Sequence, residues 1–185
     1  MKLITHIITG LSGALLVSFI VNGYKVFLGS ISIIMIMSLI HNGIIDYLGH
    51  YRRGKIFYRN AITHEVLNNI YLSILVGAFI FIAFGSVYKV HLVETIIYSI
   101  TIGAIHLFTD LLTSAGIYVR GRSSIYRVKF RFSRRYDDPY LNGLAIAISG
   151  VLILYIINSS IASNSLNIDD ILNLSNTLIE IYNPQ

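Results

Sequence analysis

The stretch "LVETIIYSITIGAIHLFTDLLTSAGIYV", Leu92–Val119, decides the fold. It is longer than the about 20 apolar residues a helix needs to cross a hydrocarbon core, so it reads as a membrane span. Within it an imidazole, His106, and a carboxylate, Asp110, stand four residues apart. On a helix they share one face, one turn above the other. Burying both in an apolar span is costly unless a partner of comparable strength meets them.

Four further runs of spanning length lie outside this one: Leu3–Val21, Val26–Leu48, Val66–Tyr88 and Tyr140–Ala162. Of the 185 residues, 55% are hydrophobic and 12% charged, about half the charged fraction of a soluble domain. The expected fold is all-α, a polytopic membrane helix bundle with about five transmembrane helices and a short amphipathic C-terminal helix. Residues 1–162 form the transmembrane domain and 163–185 an amphipathic tail. In the tail Ile168, Ile171, Leu172, Leu178 and Ile179 fall near helical spacing opposite Asp169, Asp170, Asn173 and Asn176, which suits the membrane surface or a partner chain. The first apolar run has no cleavage site and a second span follows at once, so the amino terminus is expected to be retained. Small residues on the first run, Gly10, Ser12, Gly13 and Ala14, would let a neighbouring helix approach closely.

The net charge of +5 would suggest nucleic acid in a soluble protein; in a membrane protein the positions of the charges matter more, and no nucleic-acid partner is expected. Five spans put Lys2, Arg52, Arg53, Lys55, Arg59, Arg120, Arg122, Arg127, Lys129, Arg131, Arg134 and Arg135 on one side, and only Lys25 and Lys89 on the other. By the positive-inside rule that basic side, with the amino terminus, is cytoplasmic. The protein is therefore read as an integral cell membrane protein with a cytoplasmic N-terminus.

The same topology gathers the ionisable residues of the spans. His6 opens the first span, Asp46 and His50 close the second, His64 precedes the third, and His106 with Asp110 sits in the same half of the fourth. Asp46/His50 and His106/Asp110 each have the i, i+4 spacing that lets one helix face offer two ligands to one ion. The chain has no cysteine, so any metal must be held by nitrogen and oxygen. Four imidazoles and two carboxylates suffice for one zinc with supporting groups, or for two metals. For this ligation the fourth helix must end before Val119, since otherwise His106 lies about 20 Å below its end at 1.5 Å per residue; Gly116 is the expected left-handed residue just past that end. The plainer readings are helix packing by single histidines, which suits His41 and His91, and a proton relay for the Asp/His pairs. Asp138 and Pro139 are expected to cap and open the fifth helix.

The motifs "KLITHIITG", "IIDYLGH", "RNAITH" and "GAIHLFTDLLTSAGIYV", in this order, resemble those of the YdjM-like membrane-bound metal-dependent hydrolases, and the chain looks most like an archaeal branch of them. The resemblance runs from His6 to about Asn142, and its most specific element is His106-x3-Asp110-x2-Thr113-x2-Gly116. It implies His6, Asp46, His50, His64, His106 and Asp110 as the metal-site residues and hydrolysis as the activity. The chain departs from the family pattern where Asp-x-Asp-His would stand, leaving one carboxylate, and where Tyr58 replaces a histidine.

Two functions follow from this reading. In the first, the protein is a metal-dependent hydrolase at the cytoplasmic membrane face with a divalent metal, zinc the most suited. Glu65 or Asp46 takes a proton from water, and Arg59 with the Arg120–Arg135 loop meets an anionic, phosphate-bearing substrate such as a phosphoester or lipid headgroup. In the second, it is a non-catalytic ion-binding or structural membrane protein that docks a partner through its tail.

Overall fold

The structure, a computed structural model, describes residues 1–53, 56–130 and 133–163. In chain order its elements are α1 (Leu3–Val21), α2 (Leu28–Gly49), β1 (His50–Arg53), β2 (Ile56–Arg59), the single turn α3 (Ala61–His64), α4 (Val66–Tyr88), α5 (Leu92–Leu111), β3 (Ile117–Arg120), β4 (Ile125–Val128) and α6 (Pro139–Ala162). Among the described residues five helices, α1, α2, α4, α5 and α6, are long and apolar enough to cross a membrane. Helices are the form such runs take in lipid because every backbone N–H and C=O is then bonded within the segment. The tail assigned to 163–185 lies, past Ser163, outside the described residues.

Helix α1 packs on α2, α5 and α6, and α4 lies against α5 and α2. The small residues of α1 face these neighbours: Gly10 abuts Asn42, Ser38 and Ile102, and Gly13 abuts Ile105. Leu15, Ile33, Ile34, Met37, Tyr98 and Ile102 form the apolar centre. Polar groups within it are paired. Tyr98 donates its hydroxyl hydrogen to Ser18 Oγ at 3.0 Å, and His41 bridges α4 and α5 through Ser73 Oγ and Ser99 Oγ, both at 3.3 Å. His41 is thus a packing residue, well inside α2. At α5, the His91 N–H donates to Glu94 Oε2 at 3.0 Å.

The connections expected as plain loops contain two antiparallel ribbons, β1 with β2 and β3 with β4. Both stand at the end of the bundle that holds Met1 and the start of α6, where Lys2 N–H donates to Asn142 Oδ1 at 3.1 Å. Asp138 caps α6 by accepting from Leu141 N–H at 2.9 Å, with Pro139 in the first turn.

Helix α5 ends earlier than its apolar run, and not by the device anticipated. Gly116 is left-handed (φ 65°), but it lies beyond the cap and turns the chain into β3. What stops the helix is the returning loop: Phe130 N–H donates to Leu111 O at 3.1 Å and Arg134 N–H to Leu112 O at 3.0 Å. These carbonyls would otherwise be the orphans of a helix C-terminus. Asp110 is thereby placed in the last turn, level with the ribbons.

Candidate metal centre

Asp110 is fully buried and stands at the centre of the cluster. Its Oδ2 faces His64 Nε2 at 3.2 Å and His106 Nε2 at 3.3 Å, and its Oδ1 faces His6 Nε2 at 3.1 Å. Four elements meet here. His6 comes from the first turn of α1, Asp46 from the last turn of α2, His64 from α3, and His106 with Asp110 from α5.

The far side of each imidazole fixes what the near side presents. His106 Nδ1 lies 2.8 Å from Asn42 Oδ1, and the Asn42 amide nitrogen already donates to Ser38 O at 2.8 Å. His6 Nδ1 lies 2.9 Å from Thr109 Oγ1, whose hydrogen goes to His106 O. His64 Nδ1 lies 3.0 Å from Thr63 Oγ1, whose hydrogen goes to Ile45 O. Each partner has its hydrogen committed and can only accept. All three rings therefore carry Nδ1–H, and each turns a bare Nε2 lone pair inward.

Those lone pairs point at carboxylate oxygens, acceptor against acceptor. His6 Nε2, His64 Nε2, His106 Nε2, Asp46 Oδ1 and Asp110 Oδ2 are buried and without a hydrogen-bond partner. A protein that buries five unpaired acceptors in apolar surroundings bears a large cost unless a cation sits among them. The ligand atoms fall into overlapping sets, His6/Asp46/His106, Asp46/His50/His64 and His64/His106/Asp110, each within 4.8 Å of one another. These buried groups can hold a metal ion, and the all-nitrogen-and-oxygen donor set with ring tautomers fixed from behind suits a divalent one.

His50 behaves differently from its sequence spacing. Helix α2 stops at Gly49, so His50 turns into β1 and leaves the helical face it was expected to share with Asp46. Its Nδ1 lies 2.8 Å from the Asp46 carbonyl and its Nε2 accepts from Arg59 Nε at 3.3 Å. It remains within the Asp46 and His64 set, with both ring nitrogens already engaged. The break at Gly49 also serves His64: a side-chain carbon at that position would overlap the His64 ring and the Thr63 hydroxyl.

Arg59 is buried and committed to the site. Its Nη2 pairs with Asp110 Oδ1, and its Nη1 donates to both Thr113 Oγ1 at 3.0 Å and Gly116 O at 3.2 Å. The Met1 nitrogen is 2.9 Å from the same Oδ1. Both hold Oδ1 of Asp110, which His6 also faces, and leave Oδ2 turned toward His64 and His106. Glu65 is not brought into these sets. It caps α4 through Asn68 N–H at 3.0 Å, and Arg120 of β3 approaches it at 3.6 Å.

Burial holds the His64 imidazole below its ordinary value, partly opposed by Asp110, and holds His50 below it as well, partly opposed by the Asp46 carbonyl. Both rings thus stay neutral at neutral pH. The centre opens on one side only. His6, His64, His106 and Asp110 side chains are fully enclosed, whereas those of Asp46 and His50 are 15% and 29% exposed. Beside them a cavity of about 400 Å³ is lined by Lys2, His50, Arg59, Ala115 and Tyr136.

Asn42 and Thr109 escaped the sequence reading. Asn42 lies four residues before Asp46 and hence on its helical face, which is the signal that would have found it; Thr109 has no such signal, since its role depends on α1 lying beside α5.

The chain matches no curated protein and no solved structure. A family described as "protein of unknown function (DUF1286)" matches residues 1–109, a span that takes in His6, Asp46, His64 and His106 and stops one residue short of Asp110. With more than half of its length so matched, the chain belongs to the DUF1286 family.

Proposed function

We propose that the protein is an integral membrane metal-dependent hydrolase working at the cytoplasmic membrane face on an anionic, phosphate-bearing substrate. The observation that carries this reading is the set of three bare Nε2 atoms turned on two carboxylates, each imidazole fixed by an acceptor behind it. The resemblance to the YdjM-like hydrolases supports the reaction type, and the basic residues gathered at this end support the cytoplasmic placement.

His6, His64, His106 and Asp110 would hold the ion, with Asp46 at the open edge. A divalent ion bound there would acidify a water and polarise a phosphoryl oxygen. Zinc matches the donor set. Asp46 is the carboxylate placed to take a proton, because its side chain keeps 15% exposure at the open edge and its Oδ1 lies 3.7 Å from His106 Nε2. Arg59 keeps Asp110 in position, and with its nitrogens so occupied the cationic contribution to the cavity falls to Lys2.

Full enclosure of four ligands favours a second reading, an ion-holding centre without turnover. Metal analysis of protein purified without chelator tests what the two share, and about one to two divalent ions per chain are expected. Release of p-nitrophenol from p-nitrophenyl phosphate or bis(p-nitrophenyl) phosphate, lost in Asp46→Asn while the metal stays, separates them. A protein that holds its metal and cleaves neither ester belongs to the second.

A further inference from the structure

A second hollow, of about 340 Å³, runs between α1, α5 and α6 and meets the first at Met1, which lines both. Its walls are Gly13, Ile105, Phe108, Leu144, Ala145 and Ile148. Three of the hydroxyls along it are spent on backbone carbonyls: Thr9 Oγ1 donates to Thr5 O at 2.8 Å, Ser12 Oγ to Thr9 O at 2.9 Å and Thr109 Oγ1 to His106 O at 2.9 Å. What they present to the groove is methyl and methylene surface.

The groove has a direction and a length. Along α6 it extends from Leu141 to Leu152, about 16 Å at 1.5 Å per residue. That is close to half of a roughly 30 Å hydrocarbon core. It starts at the cavity beside the candidate metal centre, so it crosses the same leaflet that holds that centre. A chamber with Lys2, His50 and Arg59 in its wall, continued by an apolar trough one leaflet deep, has the shape of an amphiphile.

We propose that the groove between α1, α5 and α6 binds the hydrocarbon chain of an anionic amphiphile whose head lies in the cavity beside Lys2 and His50. The substrate thus enters sideways from the bilayer. The head-group role of the cavity rests on the hydrolase reading above; occupation of the groove by a chain does not.

The test uses the full chain in phosphatidylcholine nanodiscs and a dodecyl phosphate carrying a diazirine near the chain end. Saturable labelling of peptides from α5 and α6 that line the groove is expected. Excess dodecyl phosphate should displace it, and inorganic phosphate or dodecyltrimethylammonium should not. Ala145→Phe fills the groove and should lower labelling at least about tenfold, as for overpacking of a filled site. Ala147→Phe, on the exposed side of α6, should leave it unchanged. Bound metal, measured in the same samples, should be equal in both variants, which shows that the bundle and its centre persist. Labelling that does not saturate, that spreads equally over the exposed faces of α4 and α6, or that survives Ala145→Phe overturns the groove. Equal displacement by the cationic amphiphile overturns the anionic head. Saturable groove labelling in a protein without metal would leave this site standing while removing the hydrolase.

Discussion

Asn42 shows how one acceptor governs a ligand. Because its amide nitrogen is spent on Ser38 O, its oxygen holds His106 in the tautomer that leaves Nε2 bare. Asn42→Leu is expected to weaken zinc binding about 10–100-fold, the usual effect of losing a group that orients a ligand; Asn42→Asp, which keeps the acceptor, should stay near wild type in the same titration. Asp110 carries two duties, since it faces the imidazoles and neutralises Arg59. Asp110→Asn should cost about 3–5 kcal/mol in thermal unfolding, as when one partner of a buried ion pair is removed. Adding Arg59→Met should recover part of that stability but none of the metal, and metal that returned with the stability would end the ligand role of Asp110. Two histidines outside the spans, His50 and His64, contribute to the pH response. His50 and His64 are held by burial below the ordinary imidazole value of about 6.5. Below that pH the unfolded chain takes up protons that the folded chain refuses, so stability should fall as pH drops under about 6.5 and stay level above it. Thermal unfolding of metal-free protein from pH 8 to 5 checks the sign; stability that rises toward pH 5 would contradict it.

At the scale of elements the site depends on where helices stop. Gly49 ends α2 against the His64 ring, and Gly49→Ala should cost about 1–3 kcal/mol as an overpacked contact and displace His64, lowering bound metal while the helical circular dichroism persists. Unchanged metal in a folded Gly49→Ala protein would show that His64 is dispensable. These stops also mark what the sequence disclosed. The spans were legible because each apolar run approaches the bilayer thickness, and the grouping of His6, Asp46, His64, His106 and Asp110 followed from counting spans. The i, i+4 pair held for His106 and Asp110, inside a helix, and for Asp46 and His50 it survives across a helix end, with His50 Nδ1 3.5 Å from Asp46 Oδ1 although His50 has left the helix. The ribbons were illegible: strands of four residues, such as His50–Arg53, have too few alternations to stand out from a loop. The stop at Leu111 was equally hidden, since it is made by the N–H groups of Phe130 and Arg134, which lie far along the chain.

For the molecule as a whole, orientation is the property on which the reading of a cytoplasmic site rests. With no native cysteine, single cysteines report the sides directly: a thiol reagent that cannot cross the membrane should modify Lys25→Cys but not Ser123→Cys in intact cells, and both after lysis. The reverse pattern would place the ribbons and the candidate centre outside. The assembly of that centre from distant parts of the chain has a further consequence, in the time of its making. His6 and Thr109, which steadies it, are 103 residues apart, so at the ribosome's roughly 5–20 residues per second the first ligand waits about 5–20 s for the last. A chain whose synthesis halts before Asp110 carries imidazoles but cannot close the cluster, and if the centre holds a metal, its loading would be the mark by which a finished protein differs from an abandoned one.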